Sequence, residues 1–86
     1  MKITRKSVAM KLVAYLRHET SLAELVRWAE DAMMKGEFSE AGMRETRDAV
    51  ARLGVADVRA FGLTWEDCEQ LLGKLGYSTR IDVIAR

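Results

Sequence analysis

Apolar residues recur along most of this chain at the spacing of a helix face. Val8, Ala9, Leu12, Tyr15 and Leu16 share one side of a helix drawn from Arg5 to His18, with Val13 at its edge. Thr4 precedes it as the cap, its hydroxyl placed to accept an orphan backbone N–H. Ser21 and Glu24 form a capping box ahead of a second helix, Leu22 to Lys35. Its inward stripe reads Leu22, Leu25, Val26, Ala29, Ala32 and Met33, with Trp28 on the flank and Gly36 as a left-handed stop. A third helix, Glu40 to Leu53, is expected behind a Ser39 cap, with Phe38 stapled onto Met43. Thr46, Ala49, Val50 and Leu53 continue its inward side. Gly42 costs about 1 kcal/mol against alanine inside a helix, so it marks a close approach of another backbone. Gly54 is the expected stop, with Val55 packing back on Val50.

The second half is shorter in its periods. Val55, Val58 and Phe61 recur every third residue, which predicts a short helical turn over Ala56 to Phe61 packed on the core. Thr64 and Asp67 make a weaker capping box for a fourth helix, Trp65 to Leu75, with Trp65, Cys68, Leu71, Leu72 and Leu75 inward. Gly76 ends it, and Tyr77 folds back on Leu72. Beyond it Tyr77, Thr79, Ile81 and Val83 alternate with polar residues, the period of a strand. Met1 to Thr4 is one partner for such a strand, a second copy of the chain is another, and a disordered tail is the alternative to both. The pattern specifies a mainly α, compact four-helix domain over residues 1–86 with a short fifth helical turn. A minimal two-stranded β-ribbon from the two termini is an optional addition. The core is expected around Leu12, Leu16, Leu25, Ala29, Val50 and Leu53, with Leu71, Leu72 and Leu75 from the last helix.

Composition narrows the class. The chain has 86 residues, with 49% hydrophobic and 31% charged, which is a globular composition and one domain's length. No apolar run approaches the ~20 residues of a membrane span. Lys11 interrupts the apolar stretch after Lys2, Arg5 and Lys6, and no small-residue cleavage site follows, so a signal peptide is not expected. Cys68 is a single cysteine, which suits a reducing, cytoplasmic setting. One His and one Cys do not make a Cys/His zinc set, and no metal or cofactor is expected.

Charge is uneven although the net is only +1. Residues 1–18 carry Lys2, Arg5, Lys6, Lys11 and Arg17 with no acid, and residues 19–48 carry an excess of acids. On a helical wheel the basic groups split, with Lys6 and Arg17 on one flank and Lys11 and His18 on the other. Between them Ser7, Met10 and Ala14 form a smooth outer surface able to accept another helix. Met34 points outward from the second helix, and Trp28 suits either the core or an interface. Glu66, Asp67 and Glu69 read as acids placed favourably at a helix start rather than as an acid–base pair. Cys68 on an inward stripe reads as a small hydrophobe, and nothing in the pattern brings His18 to it. The stretch Gly54 to Thr64 is too long for a helix-turn-helix.

The run Phe61-Gly62-Leu63-Thr64-Trp65-Glu66-Asp67, then Leu71-Leu72 and Leu75-Gly76-Tyr77, is joined by Leu22-Ala23-Glu24-Leu25-Val26-Arg27-Trp28-Ala29. Together they resemble segments of small uncharacterised bacterial helical proteins. The resemblance covers most of the chain and implies a bacterial, cytoplasmic origin. Its motifs are packing and capping motifs, so no active-site residue carries over.

These readings favour a non-enzymatic protein–protein interaction module, with Met10, Ala14, Trp28 and Met34 as the partner-binding candidates. The partner is an unidentified protein or a second copy. An antitoxin- or immunity-type role, in which a small helical domain neutralises a larger protein, is one form of it by analogy alone. The alternative is a nucleic-acid-binding accessory protein using Arg5, Lys6, Lys11 and Arg17 of the basic first helix.

Overall fold

Thr4 starts the first helix because two orphan backbone groups are satisfied there at once. Its hydroxyl accepts from the Ser7 N–H at 3.0 Å, and the Ser7 hydroxyl accepts from the Thr4 N–H at 2.8 Å. The computed structural model describes residues 1–85 and carries four helices, α1 (Arg5–Leu16), α2 (Leu22–Lys35), α3 (Met43–Leu53) and α4 (Trp65–Lys74). The expected capping boxes at Ser21/Glu24 and Thr64/Asp67 are both present. The protein is mainly α, as its periodicity specifies, and none of its described helices is long and apolar enough to cross a membrane.

α1 packs against α2, α3 and α4, which is why apolar residues occupy more than one of its sides. Val8, Leu12, Leu25, Val50 and Leu53 are fully buried among them, and Leu71, Leu72, Leu75 and Cys68 of the last helical segment close the cluster. Leu16 packs on the rim of that cluster rather than within it. Ile3 and Ala56 are buried core residues that helical spacing alone did not mark.

The sheet differs from expectation. Lys2–Ile3 (β1) pairs in parallel with Glu37–Phe38 (β2), in the register Lys2 to Glu37 and Ile3 to Phe38. The Glu37 N–H donates to Met1 O at 2.7 Å and the Ser39 N–H to Ile3 O at 2.9 Å. The N-terminal strand therefore exists, but its partner follows α2, and residues 77–85 form no strand. The pairing expected between the two termini is therefore replaced by one between the N-terminus and the segment after α2.

Several local expectations are also corrected. α1 ends at Leu16, and His18, at φ 62°, takes the left-handed position of a closing turn in which the Glu19 N–H reaches Ala14 O at 2.8 Å. Gly36 is extended (φ −78°), and glycine is needed there because a Cβ would lie 2.7 Å from the Ile3 side chain and 2.5 Å from Ala32 O. α3 starts at Met43 behind Gly42 (φ 69°), not behind Ser39, and what approaches Gly42 is the Arg5 side chain rather than a backbone. Gly54 keeps a right-handed helical conformation rather than a left-handed one, and the chain runs on through successive i→i+3 turns, in line with the short helical turn expected there. In that connector Ala56 is the buried residue, while Val58 and Phe61 face outward. Met33 and Trp65, expected inward, are exposed as well.

Candidate functional site

The C-terminal segment doubles back because Gly76, at φ 94°, supplies the left-handed turn after α4. The Tyr77 N–H then reaches Leu72 O at 2.9 Å, and the Thr79 hydroxyl donates to Glu69 Oε2 at 3.0 Å. These two tethers hold residues 77–80 beside α1 and leave an open groove of about 400 Å³ between them. Met10, Val13 and Leu16 of α1 form one apolar wall, and Leu72, Trp65 and Tyr77 complete the floor and the far side.

Two features distinguish this groove. Its large apolar residues are accessible: Met10 is 61% exposed, Trp65 38% and Tyr77 42%. Trp65 stands there because the Thr64/Asp67 box makes it the first residue of α4, where no preceding turn covers it. The charged groups that line it are Lys6, Arg17 and Arg80, with no carboxylate among the lining residues. Arg80 lies 3.6 Å from Asp82, and both side chains are solvated.

The sequence candidates are distributed unequally around it. Met10 lines the groove, and Ala14 is half-buried outside it. Trp28 packs partly into the core, and its ring lies 5.6 Å from Lys11 Nζ, a cation–π contact. Met34 is 79% exposed on α2, away from the groove. Among the basic candidates, Lys6 and Arg17 rim the groove, Lys11 is engaged by Trp28, and Arg5 runs its stem against Gly42. Lys6 also shares a neighbouring depression with Arg5 and Tyr77, so Arg5, Lys6 and Arg17 lie around Tyr77 while Lys11 lies apart at Trp28. Sequence reading weighs Trp65 as an interface anchor but favours the core for it, and it does not single out Tyr77 or Arg80. The capping box that fixes Trp65 at a helix start and the Gly76 turn were the available signals.

A second, wider depression of about 790 Å³ lies where the α1–α2 turn meets Leu63 to Cys68. It brings His18, Glu24 and Cys68 to one lining, a neighbourhood the sequence did not suggest. The chemistry there is quiet. Burial pushes the Cys68 thiol up to about 11, with the nearby Asp67 charge adding to it, so the thiolate is scarce at neutral pH. The Glu24 carboxylate is held below its ordinary value by the Ser21 backbone N–H and then its hydroxyl, as a cap. Among the described residues no group of three His, Cys, Asp or Glu is placed to hold a metal ion.

No family model, no curated protein and no solved structure matches this chain.

Proposed function

We propose that the protein is a non-enzymatic interaction module that docks another protein along the α1–α4 groove. The observation that carries this reading is an accessible aromatic and methionine floor rimmed by cations. Trp and Tyr present large rigid contact area, Met adapts to a partner's shape, and Arg is favoured at interfaces. The site of action is a surface, so the mechanism is occlusion or tethering of the partner. An antitoxin- or immunity-like role is one form of this, by analogy alone. A bacterial, cytoplasmic setting belongs to the same proposal, on the resemblance described above and on the lone Cys68.

The rival reading, a nucleic-acid accessory protein, needs Arg5, Lys6, Lys11 and Arg17 to act together. Lys11 is set apart at Trp28, and the wall between Lys6 and Arg17 is aliphatic, which weighs against it. The test is affinity capture from native lysate with wild type and M10E, at low and high salt and with a nuclease control. The expected result is one protein retained at both salts, indifferent to nuclease and absent from M10E. Recovery of nucleic acid alone, lost at high salt, or an identical set of proteins on M10E would overturn the proposal.

A further inference from the structure

We infer that the segment seated in the α1–α4 groove is acidic, with an apolar centre flanked by carboxylates. The inference rests on the interaction-module reading and adds the partner's chemistry to it.

The argument starts from the order of residues along α1. Lys6 stands at one end of the groove and Arg17 at the other, with Met10 and Val13 between them. At helical rise the backbone positions of the two cations are roughly 16 Å apart. That length spans about ten residues of a helix or about five of an extended strand. Arg80 adds a third cation from the opposite wall. In a chain whose bases and acids nearly balance, 14 against 13, the charged lining of the groove is cationic. Although Arg80 has Asp82 at 3.6 Å, Lys6 and Arg17 on the α1 wall form no ion pair among the described residues. An occupant with carboxylates at its ends and large apolar side chains in its middle would meet every group presented to it. Placing rim charges opposite their counterparts sets orientation and excludes like-charged competitors.

Other occupants fit less well. The middle of the α1 wall is aliphatic and offers no donor to the closely spaced phosphates of a nucleic acid. The protein's own exposed tail, with Ile81, Val83 and Ile84, carries Arg80 as well as Asp82 and so lacks an excess of carboxylate. The groove is open along its length, which suits a chain segment more than an enclosed small molecule.

The experiment is selection from a phage-displayed random peptide library on immobilised protein. Wild type, M10E, K6E/R17E and K11E are compared, each first checked for wild-type helical circular dichroism. Peptides enriched on wild type are expected to place Asp or Glu on either side of large apolar residues. Their binding, followed by Trp fluorescence, is expected to be lost in M10E and kept in K11E, whose charge lies outside the groove. In K6E/R17E it is expected to fall about tenfold, the size of reversing two exposed charge contacts. Apolar peptides without acids, lost in M10E but indifferent to K6E/R17E, would overturn this inference and leave the interaction module standing. No Met10-dependent peptide at all would overturn both. Binding of a poly-dT oligonucleotide in place of peptides, or a concentration-dependent dimer abolished by M10E in sedimentation, would overturn the acidic segment in favour of those occupants.

Discussion

Two residues at helix ends show opposite uses of backbone freedom. His18 holds a left-handed conformation, φ 62°, that costs an ordinary L-residue roughly 1–2 kcal/mol and glycine almost nothing. His18→Gly is therefore expected to stabilise the protein by about 0.5–1 kcal/mol after glycine's larger entropy loss, read as a higher urea midpoint. A lower midpoint would show that the imidazole makes a contact worth more than the strain. Gly36 is the reverse case. Its backbone is ordinary, but a Cβ would press on Ala32 O and the Ile3 side chain. Gly36→Ala is expected to cost about 1–3 kcal/mol by the same measurement, as overpacking does. A stop glycine is legible in sequence, but which constraint it serves is not. Both residues end helices, and their φ values, 62° and −78°, together with the approach of Ala32 O and Ile3 to Gly36, tell them apart.

At the scale of elements, the connector between α3 and α4 is held by one side chain. Arg52 Nη2 donates to Gly62 O at 2.9 Å and to Asp67 Oδ2 at 3.3 Å, and its guanidinium lies 5.8 Å from the Phe61 ring centroid. Arg52→Met keeps the aliphatic stem and removes these contacts. Backbone hydrogen exchange across residues 55–63 is expected to accelerate by about an order of magnitude while α2 stays protected. Equal acceleration everywhere would mean that Arg52 supports the whole fold. Asp67 adds a pH dependence. It is held below its ordinary value of 3.8 by the Thr64 backbone N–H, then by the Thr64 hydroxyl, with a smaller pull from Arg52. A carboxyl depressed in the folded state contributes stability that is complete above its unfolded value and lost as pH falls through its folded value. Wild type should therefore exceed Asp67→Asn in urea midpoint at neutral pH, and the gap should begin to narrow near the unfolded value of about pH 4 and close only below the lowered folded value. A gap independent of pH would exclude the charged cap as its cause. The caps were legible because the two halves of a capping box are three residues apart, as at Ser21/Glu24. The connector was not, because a three-residue repeat does not say which side is inward: Ala56 is buried, while Val58 and Phe61 are exposed.

The whole molecule is closed by a pairing that no local pattern announces. β1 and β2 are two residues each, too short for an alternation to register, and α1 and α2 lie between them in the chain. The apolar floor of the groove was half legible for the same reason. Met10 could be placed on the outer face of α1, but Trp65 and Tyr77 reach it only through tertiary turns. Ile3 carries the closure. It is 1% exposed, stands opposite Phe38 in the strand register and presses on Gly36 at the end of α2. Removing a buried Ile side chain to alanine costs about 2–5 kcal/mol, against ~5–15 kcal/mol of total stability in a typical domain. In a chain this small the available total lies toward the lower end, so Ile3→Ala should remove a large share of it. If β1 is integral to the core, the urea transition should move to a much lower midpoint with its slope unchanged. Trp fluorescence and helical circular dichroism should also still coincide. If β1 were an independent flap, the helical midpoint would stay at its wild-type value while only the exchange of the Glu37 and Ser39 amides accelerated. The first outcome follows from where Ile3 is buried, because a side chain shared by β1, β2 and the helical core cannot be lost by one of them alone.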